Sequence, residues 1–139
     1  MEKAALKEHR RHSTADKPFS YYISNIPEYF PNAPMHWHKE FELNVILEGE
    51  GDFVTGGIHF TAYKGDIVLT PPDMLHAVYQ HDDKRCVYDT LDLDGSMLGS
   101  RDNDRAADAF IAPLISGAYS IETHITPEHC YYSELLTTA

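Results

Sequence analysis

Turn signals recur about every ten residues between His36 and Leu93, separated by short runs of β-branched, aromatic and alternating residues. That rhythm confines the chain to a β-sandwich or barrel. Residues 19–26 (FSYYISNI) predict a first strand, and Pro27, Pro31 and Pro34 then break the chain into loop. Alternation resumes over 36–47, turns at Glu48-Gly49-Glu50-Gly51 and returns over 52–55. Gly56-Gly57 reads as a hairpin, because glycine reaches positive φ at little cost. Strands are expected at 59–63, 67–70, 76–80 and 85–93, with Lys64-Gly65-Asp66 and Pro71-Pro72 between them.

The parity of the 36–47 run carries the chemistry. Side chains alternate between the faces of an extended strand, so His36, His38 and Glu42 project to one side and Asn44 and Ile46 continue it. Trp37, Phe41, Leu43, Val45 and Leu47 form the other face, which needs a cover of its own. Histidines two residues apart are about 6.5–7 Å apart along a strand. Their rings can lean onto one ion at about 2.0–2.1 Å. With His76 arriving from a separate strand, His36, His38 and Glu42 make a ligand set for a divalent metal such as Zn, Ni, Fe or Mn, or for a polar ligand. The plainer alternative is a polar network in a barrel that binds no metal. Tyr88, among several tyrosines able to stack on a sugar, joins His36, His38, Glu42, Asn44 and His76 as a candidate ligand-binding residue. Glu40 shares the parity of the site but is expected near the barrel edge, and His59, His81, His124 and His129 read as surface or turn residues. No Gly-rich phosphate loop, G-x-S-x-G elbow or Cys-His nucleophile pair is present.

At 139 residues the chain supports one domain. It holds no run of about 20 apolar residues, and residues 1–17 lack the apolar core of a signal peptide. Two well-separated cysteines, Cys86 and Cys130, argue against a disulfide scaffold and for a reducing cytoplasm. Residues 1–17 hold five of the 11 Lys/Arg but only three of the 22 Asp/Glu, so the remainder has a net charge of −13. Such a body repels the phosphate backbone, so any action on DNA must come through another domain.

The expected organisation is a mobile arm over 1–18, a barrel over 19–100 and a helical segment over 101–139. A helix is predicted over 104–115, with Ala107, Phe110, Ile111 and Leu114 on one stripe and Gly117 as its end. Thr126-Pro127 then opens a second helix in the favoured order of cap and proline. That helix runs to Ala139 without a glycine stop, as though a longer chain continued.

His36, His38, Glu42 and Gly49, followed by Gly65, Pro71 and His76, resemble the paired motifs of the cupin superfamily. Phe30, Asp73 and Gln80 replace the usual opening Gly, turn Gly and final Asn; Asp tolerates a left-handed turn better than most residues. The resemblance implies a mostly β jelly-roll barrel, the double-stranded β-helix, followed by one or two C-terminal α-helices. The stretches PMHWHKEFELNVILEGEG, YKGDIVLTPPDMLHAV and NDRAADAFIAPLISG extend the resemblance to the effector-binding and dimerisation domain of AraC-type transcription regulators. It implies a small effector in the barrel, often a sugar, a homodimer formed through the late helices, and DNA contact only through a helix-turn-helix domain outside this chain. On that reading the chain is a sensor and not an enzyme, without membrane association. The alternatives are a stand-alone metal-dependent cupin enzyme, such as a dioxygenase or sugar isomerase, and a purely structural dimerisation module.

Overall fold

The computed structural model describes residues 2–14, 16–95, 122–130 and 132–133. After a 3₁₀ turn at Lys3–Leu6 come eight strands: β1 (Phe19–Ile26), β2 (Asn32–His36), β3 (Phe41–Thr55), β4 (Ile58–Tyr63), β5 (Ile67–Thr70), β6 (His76–Gln80), β7 (Cys86–Leu93) and β8 (His124–Ile125). The paired strands run antiparallel.

Residues 48–51 were expected to turn, but β3 passes straight through them as one 15-residue strand. Its first half pairs with β7 and β5, and its second half with β4 and β6. One sheet therefore has the order β1-β7-β3-β5-β8 and the other β2-β6-β3-β4, with β3 common to both. The crossing falls at a register shift between Ile46 and Glu48 and at Gly49, whose φ is +74°. A Cβ on Gly49 would lie 1.7 Å from the Arg85 carbonyl oxygen, so only glycine lets β3 and the start of β7 approach there. Glycine at 49 thus bends a strand where the sequence suggested a reversal.

Other punctuation performs as expected. Gly56 and Gly57 both have positive φ, as a type I′ hairpin turn requires. Asp73, which replaces the usual turn glycine, also adopts positive φ, at 64°.

Between the sheets lies a core of Ile26, Ile46, Phe53, Ala62, Val68, Val78, Cys86 and Tyr88. A second cluster, Phe41, Ile67, Leu69 and Ile125, sits on the outer face of β3 and β5 with Leu43, Val45 and Tyr132 against it. Among the described residues, cover for that face comes from Thr123, Ile125 and Tyr132. Ile125 in β8 pairs with Ile67, Leu69 N–H donates to the Thr123 carbonyl, and Tyr132 Oη donates to the Gly65 carbonyl at 2.5 Å.

Of the two expected C-terminal helices, the one over 104–115 lies outside the described residues. Where the second was to open, residues 126–130 form a turn closed by His129 N–H on the Thr126 carbonyl, and Tyr132 and Ser133 are the helical positions described. A run of C-terminal helix is therefore not supported among the described residues.

Candidate functional site

His36 and His38 do not share a strand with Glu42. His36 ends β2, the chain leaves the strand through Trp37 and His38 and bends at Lys39 and Glu40, and Glu42 lies near the start of β3. The expected continuous strand over 36–47 is broken because β2 must pair with β6 in one sheet while β3 begins in the other. The four residues nonetheless converge. One ligand atom from each of His36, His38, Glu42 and His76 lies within 4.8 Å of all the others. His38, Glu42 and His76 are buried and His36 is half-buried.

Each imidazole is held in the same way. Nδ1 of His36 lies 2.7 Å from the Pro34 carbonyl, Nδ1 of His38 lies 3.2 Å from the Glu40 carbonyl and Nδ1 of His76 lies 2.8 Å from the Met74 carbonyl. A carbonyl only accepts, so Nδ1 carries the hydrogen in each ring, and Nε2 of the neutral ring presents a lone pair inward. His38 Nε2 lies 2.9 Å from Glu42 Oε2 and His76 Nε2 lies 3.3 Å from the same oxygen. Three acceptor nitrogens and a carboxylate facing one another need a positive centre, either protons on the rings or a cation among them. The donor chemistry fits a divalent transition metal.

Electrostatics within the cluster follow from burial and mutual charge. Burial opposes ionisation of Glu42, but His76 and His38 overcome it and hold its carboxyl well below the usual range. Burial likewise opposes charge on His76, and Glu42 reverses the balance to raise it. His36 is lowered, first by burial and then by the neighbouring charge of His76.

Asn44 reaches the site indirectly. Its Nδ2 donates to Glu42 Oε1 at 2.8 Å, and Thr90 Oγ1 donates to Asn44 Oδ1 at 2.7 Å. Thr90 stands opposite Asn44, and Asp92 opposite Glu42, in the β3–β7 register. A cavity of about 450 Å³ extends from His36, Glu42 and His76 past Tyr22, Phe30, Tyr88 and Thr90. Tyr88 is buried in its wall. A larger cleft of about 610 Å³ runs under the arm toward Glu40 and Asp94, and it holds none of His36, Glu42 or His76.

Sequence reasoning missed Glu8, His12 and Asp92, and named Tyr22 only among the tyrosines able to stack on a sugar. The arm forms a parallel bridge from Lys7 to Trp37, closed by Glu8 N–H on the Trp37 carbonyl and Trp37 N–H on the Leu6 carbonyl. Trp37 Nε1 also donates to the Lys3 carbonyl at 2.7 Å. This lays His12 into the barrel mouth, 3% exposed, between Glu8 Oε2 at 2.5 Å and Asp92 Oδ2 at 2.9 Å. Burial opposes its charge, but Asp92 and Glu8 outweigh burial and push His12 up to about 10. Tyr22 Oη donates to Asp92 Oδ2 at 3.1 Å. Even-numbered residues of β7 point inward, and that parity was the available signal for Thr90 and Asp92. Nothing in the arm's sequence marked His12.

Other expectations shift. Glu40, expected near the rim, is buried with its Oε1 3.1 Å from Ser13 Oγ. His81, His124 and His129 are paired with Asp52, Asp66 and Glu122 at 2.8, 2.8 and 2.6 Å. His124 also stacks on Phe60.

Two antiparallel sheets sharing a bent strand, with histidines from two strands around one mouth, define a cupin. A crystal structure of a cupin protein from Bacteroides fragilis superposes with a TM-score of 0.53 at 23% identity, over 63% of this chain and 75% of that one. A predicted oxalate decarboxylase from Thermotoga maritima superposes with a TM-score of 0.50 at 21% identity, over 67% of this chain and 74% of that one. These likenesses speak to fold alone. The family described as the AraC-like ligand binding domain matches residues 29–101, and the chain belongs to it. It is also 27% identical over 89 residues to an uncharacterised HTH-type transcriptional regulator, YdeC, of Bacillus subtilis strain 168. That match covers 63% of this chain and 31% of the relative, so it spans about a third of the regulator's length.

Proposed function

We propose that this chain is the sensing domain of a bacterial transcription regulator, taking a small polar effector, such as a sugar, into the cavity beside His36, Glu42 and His76. The observation that carries this is the cavity's wall: Glu8 and Arg10 of the N-terminal arm line it together with β1, β6 and β7. An occupant touches the arm, so its binding energy can differ between docked and released arms, which a sensor requires. Tyr22, Tyr88, Asn32 and Thr90 offer rings and polar groups suited to a polyol. In this reading DNA is contacted by a helix-turn-helix domain beyond the residues given, two copies pair through 101–139, and the protein works in the cytoplasm.

The test is calorimetric titration with a panel of monosaccharides and small polyols, followed by trypsin cleavage at Arg10 and Arg11. A binder that changes the cleavage rate of the arm is expected. Binding that leaves the arm's cleavage unchanged overturns the sensor.

A second reading, a metal-dependent cupin enzyme, is favoured by the three inward Nε2 atoms and Glu42. A divalent ion held by His36, His38, Glu42 and His76 would offer a Lewis-acidic contact to a bound hydroxyl or carboxylate. His38→Ala and His76→Ala should each abolish stoichiometric metal on elemental analysis while the barrel's circular dichroism persists. Turnover of the bound small molecule by metal-loaded protein would select the enzyme over the sensor.

A further inference from the structure

The N-terminal arm does more than wall the cavity; it brings a carboxylate to the histidine cluster. The parallel bridge between Lys7 and Trp37 sets Glu8 directly beside the two histidines that flank Trp37. Glu8 Oε2 lies 3.8 Å from His36 Nε2, and Glu8, His12 and His38 offer ligand atoms within 4.8 Å of one another. His38 thus belongs both to this arm-borne group and to the barrel quartet. Glu8 is also pre-oriented, since His12 is wedged between it and Asp92, a residue with no exposure whose Oδ1 has no hydrogen-bond partner among the described residues. His76 Nε2, also buried, lies on the far side of the cluster, 3.3 Å from Glu42 Oε2. A fully buried carboxylate oxygen, Asp92 Oδ1, with no hydrogen-bond partner among the described residues and beside this set of donors, marks a place suited to a positive charge.

We propose that Glu8 is a ligand of the barrel's divalent cation, with His12 as its positioning residue, so that cation binding latches the arm onto the barrel mouth. This rests on the barrel holding a cation and goes beyond it by assigning the arm a share in the binding. A carboxylate added to three imidazoles and Glu42 suits Mn²⁺, Fe²⁺ or Zn²⁺, which accept mixed nitrogen and oxygen shells. Because ligand and arm are one element, cation affinity and arm docking are linked and must change by the same factor.

The experiment titrates Zn²⁺ and Mn²⁺ alone into the whole 139-residue chain, free of any polyhistidine tag, by calorimetry. Trypsin cleavage at Arg10 and Arg11 is followed in parallel with and without the ion. Glu8→Gln should weaken the cation at least 10-fold and remove the ion's protection of the arm. His12→Gln should weaken it 10- to 100-fold, the usual range for an outer partner of a ligand. Glu2→Gln, an exposed change of equal charge, should match the wild type. Equal affinity and equal protection in wild type and Glu8→Gln would overturn the proposal while leaving the barrel cation standing. So would equal weakening by Glu2→Gln, which would show only bulk charge. Failure of the wild type to bind either ion overturns both.

Discussion

At the scale of single residues, the site is organised by hydrogen bonds that point lone pairs. Three Nδ1–carbonyl contacts turn three Nε2 atoms inward, and the Thr90–Asn44–Glu42 chain fixes the carboxylate they face. His12 is the exception, a ring with a carboxylate on each side. Its folded value of about 10 lies above the ordinary 6.5. A raised value means that the docked arm is favoured by the full amount below about pH 6.5, and that this contribution declines as pH rises toward 10. In chelator-treated protein, arm cleavage by trypsin, corrected for the enzyme's own pH profile, should therefore accelerate between pH 7 and 10. His12→Gln should flatten that dependence. A flat profile in the wild type would show that His12 does not hold the arm.

At the scale of elements, β3 is the structural pivot. Its bend at Gly49 lets one strand serve both sheets, and the clash of any Cβ with the Arg85 carbonyl makes the position intolerant. Left-handed strain of about 1–2 kcal/mol and overpacking of about 1–3 kcal/mol apply together to Gly49→Ala. A loss of roughly 3 kcal/mol or more in urea unfolding is expected, against about 1–2 kcal/mol for Gly57→Ala, where nothing lies within 4 Å and only the positive φ of 82° is strained. If the two variants unfold at the same urea concentration, the pivot is misplaced. Element by element, the turn residues proved good guides to strand ends, since Gly56-Gly57, Gly65 and Asp73 each need backbone geometry few residues adopt. They misled at 48–51 because glycine serves a bend within a strand as readily as a reversal between strands.

At the scale of the whole molecule, charge is segregated. The basic residues of the arm lie against a body with net charge −13, and Lys3 and Lys7 sit over the Trp37 ring at 5.3 and 5.4 Å. Among the described residues no helix is long and apolar enough to cross a membrane. Residues 1–139 alone should not retard a DNA duplex in a gel at 50 mM salt and micromolar protein, since the body repels phosphates. Retardation that fades with added salt would show that the arm itself binds DNA and would remove the need for a separate DNA-binding domain.

Most strand positions from β3 to β7, and His36, His38, Glu42 and His76 as candidates, could be picked out from the chain, because period-two alternation and turn chemistry are local properties; β2, read as loop around Pro31 and Pro34, and the break after His36 could not. Asn44 was legible as an inward position for the same reason and Tyr88 as an aromatic candidate, though not the hydrogen bond by which Asn44 orients Glu42. What only the tertiary structure decided is who stands opposite whom. Asp92 faces Glu42 through the β3–β7 register, and His12 reaches Asp92 from 80 residues away in sequence because the arm pairs with Trp37. Register and arm docking are set by long-range pairing and burial, which one strand's pattern does not encode.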